Sequence, residues 1–161
     1  MLLPTLSTDT RAEGKSVELM KFLSEVSLWV KENPEVVGLA LVGSYARGAA
    51  RPNSDVDLSL LCENANVLID NQDWTARFGE IHKTLIEHYG PITSLRVFYK
   101  SGLEVEFSIA DTSWARVPLD SGTRQVILDG LQILYDPKGI LKKAKDVAAN
   151  KSILEKLKTL L

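Results

Sequence analysis

Two aspartates one residue apart, Asp55 and Asp57, stand at the mouth of an apolar run in "ALVGSYARGAARPNSDVDLSLL", residues 40–61. In a strand, residues i and i+2 face the same side, so the two carboxylates project together. Anions that close repel each other unless water or a cation screens them. One reading is a solvated strand edge, with Ser54 and Asp55 finishing a turn. The other is a cation site, where hard oxygen donors and open coordination positions suit Mg²⁺ shared with substrate phosphates. Upstream, separated from Asp55 by ten residues, Gly43-Ser44 closes the preceding apolar run. Glycine there permits close backbone approach, and a helix starting at Ser44 would aim free N–H groups and a hydroxyl at a phosphate. The alternative is that Ser44 simply caps that helix.

These residues need elements to hold them. Leu19, Phe22, Leu23, Val26, Trp29 and Val30 recur at helical spacing, which predicts a helix over 16–31 stopped by Asn33-Pro34, after an irregular lead-in over 1–15. The run 36–42 is continuously apolar apart from Gly38 and predicts a buried strand. A short helix over 44–50 and a second strand over 56–61 follow. Trp74, Phe78, Ile81, Leu85 and His88 or Tyr89 predict a helix over 70–89, closed by Gly90-Pro91. Runs 92–99 and 103–109, joined by Lys100-Ser101-Gly102, predict a hairpin. Asp120 or Ser121 should cap a short helix ending near Gly130, before a strand over 131–135 and a lysine-rich helix over 139–161 that docks on the domain or a partner. The expected architecture is one α/β (α+β) domain spanning 1–161, with a mixed sheet of four to five strands flanked by helices.

The strand, Gly-Ser turn, short helix, turn and Asp-x-Asp strand of residues 36–61 together resemble the signature of the DNA polymerase beta-like nucleotidyltransferase superfamily, in its compact minimal nucleotidyltransferase branch. Gly43, Ser44, Gly48, Asp55 and Asp57 carry the match, while Tyr45 stands where many relatives carry arginine. Arg47 and Arg51 are then the nearby cations for a triphosphate, alongside Gly43 and Ser44. The resemblance implies a third carboxylate from a later strand. "GLEVEFSIA" offers Glu104 and Glu106, and Glu106, farther from the hairpin turn, is preferred. It further implies Mg²⁺-dependent transfer of a nucleoside monophosphate, AMP from ATP, with two ions held by Asp55, Asp57 and Glu106 and one carboxylate able to act as general base. The implied acceptor is a hydroxyl of a protein or a small molecule. The family also implies a small helical protein partner or a homodimer. Two other activities fit the same motif: an antibiotic nucleotidyltransferase of the lincosamide or aminoglycoside kind, and a nucleotide-binding interaction subunit or antitoxin-like module without catalysis.

Composition bounds the rest. The 161 residues are 45% hydrophobic and 25% charged with a formal net charge of −2, which argues against a large nucleic-acid surface. Cys62 is the sole cysteine, which rules out an intramolecular disulfide or a cysteine metal cluster. No apolar run approaches the roughly 20 residues of a membrane span, and the first residues lack a signal-peptide pattern, so a cytoplasmic location is expected. His82 and His88 read as surface or packing residues, Trp29 and Trp74 as core. Trp114 reads as packing over a sheet edge or as a stacking platform for a base.

Overall fold

A computed structural model describes residues 10–161. Helix α1 (Thr10–Glu32) precedes β1 (Val36–Val42), the one-turn α2 (Gly43–Ala46) and β2 (Val56–Cys62). Then come α3 (Ala65–Asp70), a 3₁₀ segment (Asp73–Phe78) and the strands β3 (Ile81–Tyr89), β4 (Ile92–Tyr99) and β5 (Glu104–Asp111). A 3₁₀ turn (Thr112–Ala115), α4 (Ser121–Asp129), β6 (Leu131–Tyr135) and α5 (Ile140–Leu160) complete the chain. The strands form one six-stranded sheet in the order β3-β4-β5-β2-β1-β6. It is mixed as expected: β2 and β5 run parallel, and every other neighbouring pair is antiparallel. The sheet has one strand more than the expected upper count, and that strand is β3. None of the helices in the described residues is long and apolar enough to cross a membrane.

The largest departure from expectation lies in residues 70–89, where a helix was predicted. Apolar residues there do recur at helical spacing, yet the segment breaks into the 3₁₀ turn and β3. Ile81, Thr84, Ile86 and Tyr89 are β-branched or aromatic and favour a pleated surface. Gly90-Pro91 is a two-residue hairpin turn rather than a helix stop: Gly90 adopts φ +59°, and Tyr89 faces Ile92 across it. Pairing along almost the whole of β4 then overrides the helical periodicity. Two smaller boundaries also move. α1 begins by Thr10, because Arg11, Ala12, Glu13 and Lys15 extend a helix readily; residues 1–9 of the expected lead-in lie outside the described residues. α2 stops at Ala46, before Gly48 takes φ +69°.

Alternation along β2 and β5 divides the sheet into two unlike faces. Val56, Leu58, Val105, Phe107 and Ile109 point to a core covered by α1, α3 and the 3₁₀ segment. Phe107 is fully buried at its centre, edge-on to Trp74 at 4.9 Å, and Trp74 stacks on Trp29 at 4.8 Å. The opposite face is covered at the β1–β6 end, where Ala40, Val42 and Leu131 meet Ile127 of α4 and Leu141, Ala144 and Ala148 of α5, and at the far ends of β2 and β5, where Leu61 and Ala110 pack with Trp114 and Ala115. Gly38 belongs to this contact, since a Cβ there would stand 3.1 Å from the Leu141 Cδ1. Thus β1 is buried on both faces, which is why it reads as an unbroken apolar run. The rest of that second face, at the start of β2 and β5 and on β4 and β3, carries polar residues such as Asp57, Glu106 and Arg96 that stay partly exposed.

Replacing Phe107 by Ala should remove the keystone of the aromatic core. The expected loss is about 3–5 kcal/mol, read as a lower urea midpoint with an unchanged slope.

Candidate functional site

The open half of the second face is where the acidic residues meet. The parallel β2–β5 register sets Asp57 directly beside Glu106, and one carboxylate oxygen from each of Asp55, Asp57 and Glu106 falls within 4.8 Å of the others. All three side chains are half-buried. Glu104 stays outside this group and faces Arg96 at 3.7 Å. A turn closed by the Arg51 N–H donating to Ser54 Oγ (2.8 Å), and the Ser54 N–H to the Arg51 carbonyl (2.9 Å), delivers Asp55 to the start of β2.

Gly43 makes the cluster possible. It adopts φ +72°, and any Cβ at that position would collide with Asp57 Oδ2. The glycine is needed twice, for the left-handed backbone and for the space that the carboxylate occupies. α2 begins at Gly43 after Val42, which offers no side-chain cap, so Ser44 is the second residue of the turn and not its cap.

Three carboxylates on one patch raise an electrostatic problem, and β4 supplies part of its solution. Ser94 Oγ donates to Glu106 Oε1 at 2.6 Å, and Arg96 Nη2 donates to Glu106 Oε2 at 3.2 Å. Arg96 also stands 3.7 Å from Asp55 Oδ2. Burial works against the charge on Glu106, but the Ser94 hydroxyl and the Arg96 guanidinium outweigh it and hold the carboxyl below its ordinary value. Asp57 behaves oppositely: burial first, then the negative charges of Asp55 and Glu106, push it up to about 7. The donor set is all hard oxygen and short of positive charge, which fits a divalent cation. Neither Ser94 nor Arg96 is among the residues that the sequence alone places at the site. The signal was available in the alternation of β4, where Ser94 and Arg96 must share a face with Glu106 once the strands are in register.

A cleft of about 230 Å³ runs from this cluster toward α4, lined by Gly43, Arg47, Asp57, Glu106, Trp114 and Asp129. Trp114 is nearly fully buried and forms its wall. Arg47 therefore joins the carboxylates, whereas Ser44 and Arg51 do not line the cleft. Tyr45 turns away, packing against the α1 core and lining a separate hollow with Lys15, Glu18 and Asn53. His82 and His88, expected on a helix, lie exposed on β3, consistent with surface residues.

The sequence profile of the nucleotidyltransferase domain matches residues 20–113, a span that holds all three carboxylates, Gly43 and Arg96. No curated protein matches the chain. Among solved structures, an aminoglycoside 6-adenyltransferase from Bacillus subtilis is 13% identical with a TM-score of 0.47, over 70% of this chain and 38% of that one. The polymerase core of TRAMP, an RNA surveillance complex, is 16% identical with a TM-score of 0.45, over 63% of this chain and 32% of that one. A cytoplasmic RNA terminal U-transferase is 17% identical with a TM-score of 0.45, over 76% of this chain and 33% of that one. The chain thus spans well under half the length of each of these structures.

Because Asp57 binds its proton more tightly folded than unfolded, the stability that proton confers is complete in acid and is lost as pH rises through about 7. For this group, metal-free protein should melt lower at about pH 8 than at about pH 6, and Asp57→Asn should flatten the dependence. Added Mg²⁺ or Mn²⁺ should raise the melting temperature of the wild type more at the higher pH; an equal rise at both would contradict the carboxylate cluster as the cation site. Gly43→Ala should weaken cation binding about tenfold or more by displacing Asp57 and straining the backbone, measurable by calorimetry.

Proposed function

The chain belongs to the nucleotidyltransferase domain family, and on that premise we propose that it transfers AMP from ATP to a hydroxyl of a protein or small-molecule acceptor. The observation that carries this reading is the convergence of Asp55, Asp57 and Glu106 beside an open cleft. In this proposal the three carboxylates hold Mg²⁺, two ions for a triphosphate. When bound, the cation neutralises phosphate charge and polarises the α-phosphate toward attack.

The chain's own residues do the remaining work. An acceptor hydroxyl attacks the α-phosphorus, an O–P bond forms, the bond to the β-phosphate oxygen breaks, and pyrophosphate departs. Glu106 is held ionised by Ser94 and Arg96, which keeps it an anionic cation ligand at neutral pH. The hydroxyl proton passes to a carboxylate of the cluster, and Asp57, its carboxyl raised to about 7, is the stronger base of the two. Arg47, lining the cleft across from the carboxylates, supplies positive charge for the triphosphate. Gly43 lets the backbone approach the phosphates as well as Asp57. Trp114 closes the far wall and shapes the volume left to donor and acceptor.

The reading that nucleotide is bound but not turned over is decided by the same measurement. Calorimetry with ATP and Mg²⁺, then incubation with α-labelled ATP, CTP, GTP and UTP and candidate acceptors, should give binding followed by label transfer and pyrophosphate release with ATP. Binding without release would support an interaction subunit. Asp57→Asn and Glu106→Gln should each lower transfer by about a hundredfold or more while leaving the urea midpoint near or above that of the wild type. Near-wild-type transfer by Asp57→Asn in Mg²⁺ would sink the assignment.

A further inference from the structure

β3 ends the sheet, and among the described residues it pairs with β4 alone. None of its nine residues is buried; Leu85 is 46%, Ile86 43% and Tyr89 57% exposed. A strand like this presents a free row of N–H and C=O groups to any other strand. Proteins usually blunt such an edge with proline, a bulge or charged side chains, lysine above all. Here the bulge is confined to the Ile81–Lys83 start, and the stretch from Lys83 to Tyr89 is regular and free of proline.

The charges on this stretch are matched in one particular way. In an antiparallel pairing of two β3 strands about a two-fold axis at Leu85, residue i faces the partner's residue 170 − i. Lys83 then lies opposite the partner's Glu87, and symmetry repeats the pair. Leu85 meets the partner's Leu85, and Thr84 meets the partner's Ile86. Shifting the axis to Ile86 would set Leu85 against the partner's Glu87 and leave Lys83 facing the partner's Tyr89. Shifting it to Thr84 would set Lys83 against the partner's Leu85. The Leu85-centred register is the one of these three that pairs both charges and both leucines. Lys83 is already held over the Phe98 ring at 4.6 Å, and Glu87 accepts from the Tyr89 hydroxyl, so both side chains are ordered close to the strand.

We propose that a second copy of this chain is the occupant of this edge, joined by antiparallel β3–β3 pairing centred on Leu85. The inference rests on the edge strand and not on the nucleotidyl-transfer reading. It does bear on the site. A two-fold axis on a residue stands perpendicular to the sheet, so both polar faces point the same way. The row Leu85, Arg96, Glu106, Asp57 crosses the sheet on one face, and it continues through the partner's Leu85 to the partner's Arg96. Each open face gains the partner's β3 as an extension of its floor, where an acceptor would lie.

Cys62 is buried and is the chain's one cysteine, so an introduced thiol reports cleanly. In the full chain, Leu85→Cys should give a disulfide-linked dimer on mild oxidation, because directly opposite Cβ atoms lie within bridging reach. Thr84→Cys and Ile86→Cys should not. By sedimentation, Lys83→Glu should weaken dimerisation about tenfold or more, and Lys83→Glu with Glu87→Lys should restore it. Three results would each overturn the proposal: a wild-type chain that sediments as a monomer, a crosslink favouring position 84 or 86, or failure of the double reversal to rescue.

Discussion

Placing three carboxylates on one patch of a sheet is the constraint around which the rest of the molecule is arranged. Asp55, Asp57 and Glu106 repel one another, and partial burial sharpens that repulsion. The fold answers with specific neighbours rather than with bulk charge: Ser94 and Arg96 stabilise Glu106, and Asp57 retains a proton to about neutral pH. Asp57 can also come this close to the turn only because residue 43 lacks a Cβ. A cluster arranged this way is strained without a cation and relieved by one. That is the physical content of calling it a candidate metal centre.

Such a patch needs a rigid base with one side left uncovered, and the asymmetric packing of the sheet supplies both. One face is sealed by α1 and the aromatic group of Phe22, Trp29, Trp74, Phe78 and Phe107. The other is sealed over β1 and β6 by α4 and α5, and over the ends of β2 and β5 by the 3₁₀ turn that carries Trp114. The strands that carry carboxylates therefore have a fully packed back and an open front. β1, covered on both sides, anchors the Gly43 turn to the most buried part of the sheet. The 3₁₀ turn after β5 places Trp114 at the border between covered and open regions, where it serves the core and the cleft at once.

β3 is the unusual member of this arrangement. It contributes no buried residue to either core, yet it is nine residues long and paired without a break from Lys83 to Tyr89 along one side. Its apolar positions are spaced like those of a helix, and an isolated segment of this composition has no strong reason to choose. The choice is made by β4, whose Leu95 and Val97 are buried and whose outer edge would otherwise be bare. That pairing lies between segments, and the apolar spacing within 81–89 carries little trace of it.

The sequence by itself determined the elements whose signals are local. β1 was legible as an apolar run between Pro34 and Gly43, β2 and β5 as alternating strands, and α4 through its Asp120 cap, whose side chain accepts from the Thr123 N–H. The Gly43-Ser44 and Asp55-x-Asp57 spacing pointed to the family and to two of the three clustered carboxylates, since i and i+2 in a strand must share a face. Tertiary structure decided the rest. The parallel β2–β5 register brought Glu106, and not Glu104, to Asp57. The antiparallel β4–β5 register brought Ser94 and Arg96 to Glu106, and the route of the chain turned Tyr45 inward and Arg47 toward the cleft. Whether residues 81–89 became helix or strand also rested on pairing with β4 across the Gly90-Pro91 turn. These outcomes depend on which strands lie side by side and in what register, and the free energy of that choice resides in contacts between segments, where no single stretch of sequence records it.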